Sequence, residues 1–184
     1  PRRSSDLGKV PAHFTALGDT VIEMRAGHIG RDLKIYGGEI HLQGGNMEQG
    51  NDDAQAYAQT KLLVEGGQFR FSRFHDSAAE IRGGLGVIRD DVRRSHIRLQ
   101  GGFVDVWNSD NATHVEVLDG NHGNISAGLI EISGGHVESA STVAQGEEDA
   151  EVQISGGRVG RLQLSANADV QMTGGVVEDV TGGF

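Results

Sequence analysis

The chain has 184 residues, with 29 glycines, two prolines, one tryptophan, two tyrosines, six phenylalanines and no cysteine, and its hydrophobic fraction is 36%. So few aromatic residues make a wide globular core hard to build, and glycine without a G-x-y period excludes collagen. The missing cysteines exclude disulfides and thiolate metal sites. A net charge of −10 and a pI near 5.2 oppose general binding to nucleic acid or anionic membrane, and no apolar run reaches the roughly 18 residues of a membrane-spanning helix.

In chain order, residues 1–20 come first. They carry Arg2, Arg3, Lys9, Pro1 and Pro11 with no hydrophobic period, and read as an arm or linker that folds over whatever follows. Arg2-Arg3 lacks the apolar stretch of a twin-arginine export signal. A chain that begins at Pro1 with no apolar leader reads either as a fragment or as a protein whose leader was removed, and a processed secreted protein is the favoured expectation.

From Val21 on, one frame recurs nine times. Its clearest copies are Val152-Gln153-Ile154-Ser155-Gly156-Gly157 and Val170-Gln171-Met172-Thr173-Gly174-Gly175. The second doublet position is always glycine: Gly27, Gly45, Gly67, Gly84, Gly102, Gly120, Gly135, Gly157 and Gly175. The positions two and four before the doublet are apolar in every copy, from Ile22 and Met24 to Val170 and Met172. Successive doublets lie 18, 22, 17, 18, 18, 15, 22 and 18 residues apart, which is the signature of a repeat architecture.

Within each repeat the apolar-polar alternation has the strand period, not the helical one. A second apolar site follows the doublet (Ile29, Met47, Phe69, Val104, Val137, Val159, Val177), interrupted by Gly86 and His122, and a third follows less regularly. Three short strands per turn predict an all-β, single-chain parallel β-helix over residues 21–184, with about nine rungs of roughly 18 residues. Coiling, unlike hairpin formation, places each position above its equivalent at about 4.8 Å, for a rod of about 40 Å. The glycine column is then a sharp corner that needs φ > 0. Outward charges agree with this frame, since Glu80, Arg98 and Glu116 alternate in sign on consecutive rungs and Glu65 precedes Arg82.

Two repeats are four residues longer than the period. Their insertions, within residues 49–59 and 139–150, are expected to bulge from one corner, where binding loops of solenoids sit. The carboxylates a calcium ion would use are Asp52 and Asp53 in the first and Glu147, Glu148 and Asp149 in the second. Neither loop has the alternating spacing of a calcium motif, so they read as solvated acidic loops without a cofactor.

Three polar features could carry chemistry. The densest lies between Arg73 and Asp110, where Asp76, Asp90, Asp91 and Asp110 with Arg93 and Arg94 are the side chains an acidic-polysaccharide lyase or hydrolase would use. The same residues make an ordinary surface ion-pair network, which is the expectation here, and no enzyme activity is read from them. His96 and His114 share a row on neighbouring rungs, but that row offers no third metal ligand, since it holds Ala78 before them and Leu129 after. Trp107 stands six residues past the first doublet position, as Leu162 and Val180 do in their repeats, and is expected to be buried.

The Val-x-Ile-Ser-Gly-Gly-x-Val-x-x-Leu phrasing of residues 149–175 resembles the repeats of secreted bacterial right-handed β-helix proteins. That resemblance implies a right-handed coil in the extracellular space or on the cell surface, in adhesins, matrix or filament components and phage tail parts, with pectin-lyase-type enzymes on the same fold. A rung of about 18 residues is also similar to bactofilins, which form cytoplasmic filaments but lack this Gly-Gly corner. The expectation is a non-enzymatic structural solenoid that associates with itself, or with a larger surface assembly that includes polysaccharide. Its end rows would make the contacts: Val180 and Phe184 at one end, Val21 and Ile22 at the other.

Overall fold

A computed structural model describes residues 3–4, 9–10, 14–29, 32–47, 53–144 and 149–182. These form an all-β parallel solenoid of about nine turns of roughly 18 residues. The strand ahead of each doublet joins a ten-stranded sheet, called here the first sheet, and the strands after it join a thirteen-stranded second sheet. Among the described residues no helix is long and apolar enough to cross a membrane.

The register is that of the repeat frame. Ile22 pairs with Ile40, Ile40 with Leu62, Leu62 with Ala79 and Ala79 with Ile97, so each apolar row stacks on itself. Strands such as Lys61–Val64 and His96–Leu99 alternate outward and buried residues, and one continuous core runs up the inside. Within it Phe71 meets Phe74 edge-on, with ring centroids 5.7 Å apart.

The doublet makes the corner for two separate steric reasons. At its second position Gly157 has φ +73°, a backbone conformation that costs any residue with a Cβ. At its first, Gly156 has no such φ, but a Cβ there would lie 2.2 Å from the carbonyl oxygen of Ser133 on the turn below.

A second corner, leading back into the first sheet, uses other chemistry that sequence reading missed. Six residues before the doublet stand Thr60, Ser77, Ser95 and Thr113 on consecutive turns, all buried. The Ser95 hydroxyl donates to the carbonyls of Arg93 and Phe74 at 2.8 and 2.9 Å, and that of Thr60 donates to the Tyr57 carbonyl at 2.7 Å. These hydroxyls add a second donor to carbonyls at the corner, since Arg93 already accepts the Asp76 N–H and Tyr57 the Gly37 N–H from neighbouring turns. The signal was legible, because the same row continues as Gly128, Ala150 and Ala168, all small.

Several expectations need correction. The arm read into residues 1–20 supplies Arg3–Ser4, Lys9–Val10 and Thr15–Leu17, which pair with Val21–Met24, His28–Ile29 and Lys34–Tyr36 as a further turn. Val21 and Ile22 are therefore not a free edge, and Ile22 is buried. The two insertions leave different corners: one lies between Asn46–Met47 and Ala54–Tyr57, the other between His136–Thr142 and Ala150–Ile154.

Trp107 is exposed, not buried. Val106 is the inward residue of its turn, and it stands in line with Ile125, Ala140 and Leu162. Counting from the doublet equated Trp107 with Leu162 because one extra residue enters the coil on the next turn. There Gly123 is buried at a bulge where a Cβ would meet Asp105 Oδ1 at 2.2 Å, and that oxygen accepts the Asn124 N–H at 2.7 Å.

His122 is the polar break in the apolar row, fully buried between Val104 and Val137. Its Nε2 donates to the Asp119 carbonyl at 2.8 Å, while Nδ1 has no hydrogen-bond partner. Burial lowers its pKa, with the Asp119 carbonyl and the Asp119 and Asp105 carboxylates opposing that shift. The folded chain thus holds this ring neutral while the unfolded chain protonates it near the ordinary value of about 6.5. More protons on the unfolded state mean that stability falls as pH drops below about 6.5, until the folded pKa is reached. His122→Val, which restores the row, is expected to flatten that slope in denaturant titrations run across the interval; an unchanged slope would exclude His122 as its source.

Candidate functional site

The polar cluster resolves into three groups along the flank. At the corner, the Arg94 guanidinium donates to both oxygens of Asp76 at 2.7 and 2.8 Å, and the Asp110 carboxylate accepts the Arg94 backbone N–H and, at 2.7 Å, the Thr113 hydroxyl. Asp91 lies between Arg93 and His75, whose Nε2 is 3.0 Å away. Asp90 faces Arg89 at 3.5 Å. Asp76, Asp90 and Arg94 all have positive φ, so the corner also shapes the backbone that presents them.

Every carboxylate of the catalytic candidate set thus has a cation or a hydrogen-bond donor against it. The Arg94 guanidinium holds Asp76 below the usual carboxylate range. An acid catalyst of glycoside cleavage needs the opposite shift.

Asp53, one of the calcium candidates, is turned inward. It is 2% exposed, with Arg70 Nε at 3.0 Å and Arg89 Nη2 at 3.4 Å from its Oδ2. Asp149 is exposed just before Ala150–Ile154, several turns away, so these two do not share a site. Asp52, Glu147 and Glu148 lie outside the described residues, as does Phe184.

The outward face of the first sheet carries matched charges as the frame required, with Arg98 Nε 3.2 Å from Glu116 and Arg82 3.7 Å from Glu65. Gln43 and His41 also hydrogen-bond Glu65, and together with Arg82 they lower its pKa. Part of this face is concave, a groove of about 580 Å³ whose floor includes Val21, Leu63 and Ala78 and whose rim includes Lys61, Glu80 and His96. Just beyond, His96 and His114 stack with centroids 4.7 Å apart and planes 17° from parallel. The third ligand missing from their row stands in the next one: Glu116 completes the group that among the described residues could hold a metal ion.

The most exposed apolar surface is the last turn. Val170, Met172 and Val180 are 37%, 50% and 58% exposed, whereas their register partners one turn earlier, Val152, Ile154 and Leu162, are 0%, 1% and 2% exposed. The strands that carry them, Ala168–Met172 and Val176–Gly182, end the two sheets among the described residues. Among the described residues, exposed core-row positions thus coincide with strands that pair on one side, a surface onto which another strand can add.

Among the described residues, fold and surface together define a parallel β-solenoid whose last described turn exposes core-row positions. The chain matches no protein-family model, no curated protein and no solved structure.

Proposed function

We propose that this chain is a non-enzymatic, structural β-solenoid subunit that builds an extracellular or cell-surface assembly by stacking its terminal turns. The resemblance to secreted, right-handed β-helix repeat proteins supports the setting, and a right-handed coil agrees with the general hand of parallel crossovers. One observation carries the reading: Val170, Met172 and Val180 occupy core positions yet are exposed on the strands that end both sheets among the described residues. A second copy that seats its first turn there would continue both sheets and bury that row. The acidic surface, net −10, keeps the flanks of neighbouring rods apart and directs association to the ends.

Sedimentation velocity across a wide concentration range, with electron microscopy of the same samples, tests this. Association that grows with concentration and yields end-to-end rods is expected. Val180→Glu, which places a charge in the buried contact, is expected to weaken it by more than about tenfold. A monomer at every concentration would sink the proposal.

A further inference from the structure

We propose that His96, His114 and Glu116 form a binding site for one divalent transition-metal ion of the zinc class on the outward face of the first sheet. Stacked parallel strands bring the three together. His96 and His114 are register partners on adjacent turns, and Glu116 lies two residues past His114 on the same face. One ligand atom from each lies within 4.8 Å of the others.

The geometry is close to what the ion needs. His96 Nε2 already lies 2.6 Å from Glu116 Oε1, so these two converge on a common point. Ligands about 2.0–2.1 Å from a tetrahedral ion sit roughly 3.4 Å from one another. The two rings stack on each other and His96 already holds Glu116, so binding asks the imidazoles to rotate out of that stack to reach this spacing. Two imidazole nitrogens and one carboxylate oxygen suit zinc, copper or nickel and not calcium or magnesium. Binding replaces the direct His96 Nε2 to Glu116 Oε1 hydrogen bond with two bonds to the ion.

Two independent observations point to a cation here. Glu131 is the register partner of Glu116, so the sign alternation of Glu80, Arg98 and Glu116 breaks at this turn. Arg98 meets one oxygen of Glu116 at 3.2 Å, but like charges directly opposite each other stay destabilising on a sheet unless both are neutralised. In addition, His114 Nε2 is sealed from solvent and makes no hydrogen bond; Glu131 Oε2 is 3.2 Å away but out of line for one. A dication between the imidazoles and the two glutamates resolves both, with Glu131 as the nearest source of a fourth ligand.

The test is calorimetric titration of untagged full-length protein, stripped with chelator, against zinc alone. One ion per chain is expected, with binding weakened by more than about tenfold in His96→Ala, His114→Ala and Glu116→Gln. His41→Ala removes a histidine from the same face, paired with Glu65, and is expected to leave binding unchanged. Cobalt added to the wild-type protein gives a second reading that needs no variant: visible absorption of a tetrahedral ion, displaced by zinc. The proposal is overturned if zinc does not bind, if the three variants bind as tightly as the parent, if His41→Ala weakens binding equally, or if cobalt gives no zinc-displaced bands. Any of these leaves the four side chains a plain ion-pair ladder.

Discussion

Gly86→Val is expected to destabilise the fold by about 2.5 kcal/mol, although it installs the residue found at the equivalent position on four other turns. Gly86 lies directly above Phe69 and below Val104 in the row after the doublet. A Cβ there would stand 2.1 Å from Phe69 Cζ, because the ring fills the space that a valine on the next turn would take. Phe69→Val alone is expected to cost roughly 1.5 kcal/mol through the cavity it leaves. The double variant, with two valines in place of one phenylalanine and one glycine, is expected to cost no more than either single change. That amounts to a coupling of about 2.5 kcal/mol between adjacent turns, readable from urea denaturation of the four proteins. Additive effects would mean that the two positions do not share one packing space.

Asp53→Ala is expected to cost about 3 kcal/mol, the low end for breaking a buried ion pair. The carboxylate is nearly sealed, whereas Arg70 and Arg89 keep some contact with water, which tempers the loss. Removing it leaves two guanidinium groups facing each other on neighbouring turns with no anion between them. Asp53→Asn, which keeps the shape and loses the charge, is expected to fall between Asp53→Ala and the parent protein. A loss below about 1 kcal/mol for Asp53→Ala in the same denaturation experiment would mean that the group behaves like an exposed surface pair.

The parts of the site legible in sequence are those that repeat at fixed intervals from the doublet. Glu80, Arg98 and Glu116 were in one row by counting, and the coordinates put Arg98 against Glu116. Glu116 as a partner of His96 is invisible along the histidine row, because the contact is diagonal, between rows. The remedy was in the spacing: on a strand, residues two apart share a face, so His114-Val115-Glu116 is already a pair of outward ligands.

Trp107 failed for a related reason. Counting assumes a constant number of residues between corners, and the bulge at Gly123 adds one that no local pattern announces. Residues 1–20 failed because their strands are only two or three residues long, too short for a period to be visible.

By itself the sequence determined that this chain coils, where its glycine corners fall and which rows face inward, because those follow from a pattern repeated nine times, each copy reinforcing the next. Tertiary structure alone decided what depends on one turn's neighbours: that Phe69 fills the space over Gly86, that Asp53 turns inward to two arginines, that Trp107 faces out, and that two histidines and a glutamate converge. Such contacts join residues one or two turns apart in sequence but adjacent in space, and they depend on side-chain sizes and directions that a pattern of apolar and polar positions does not carry.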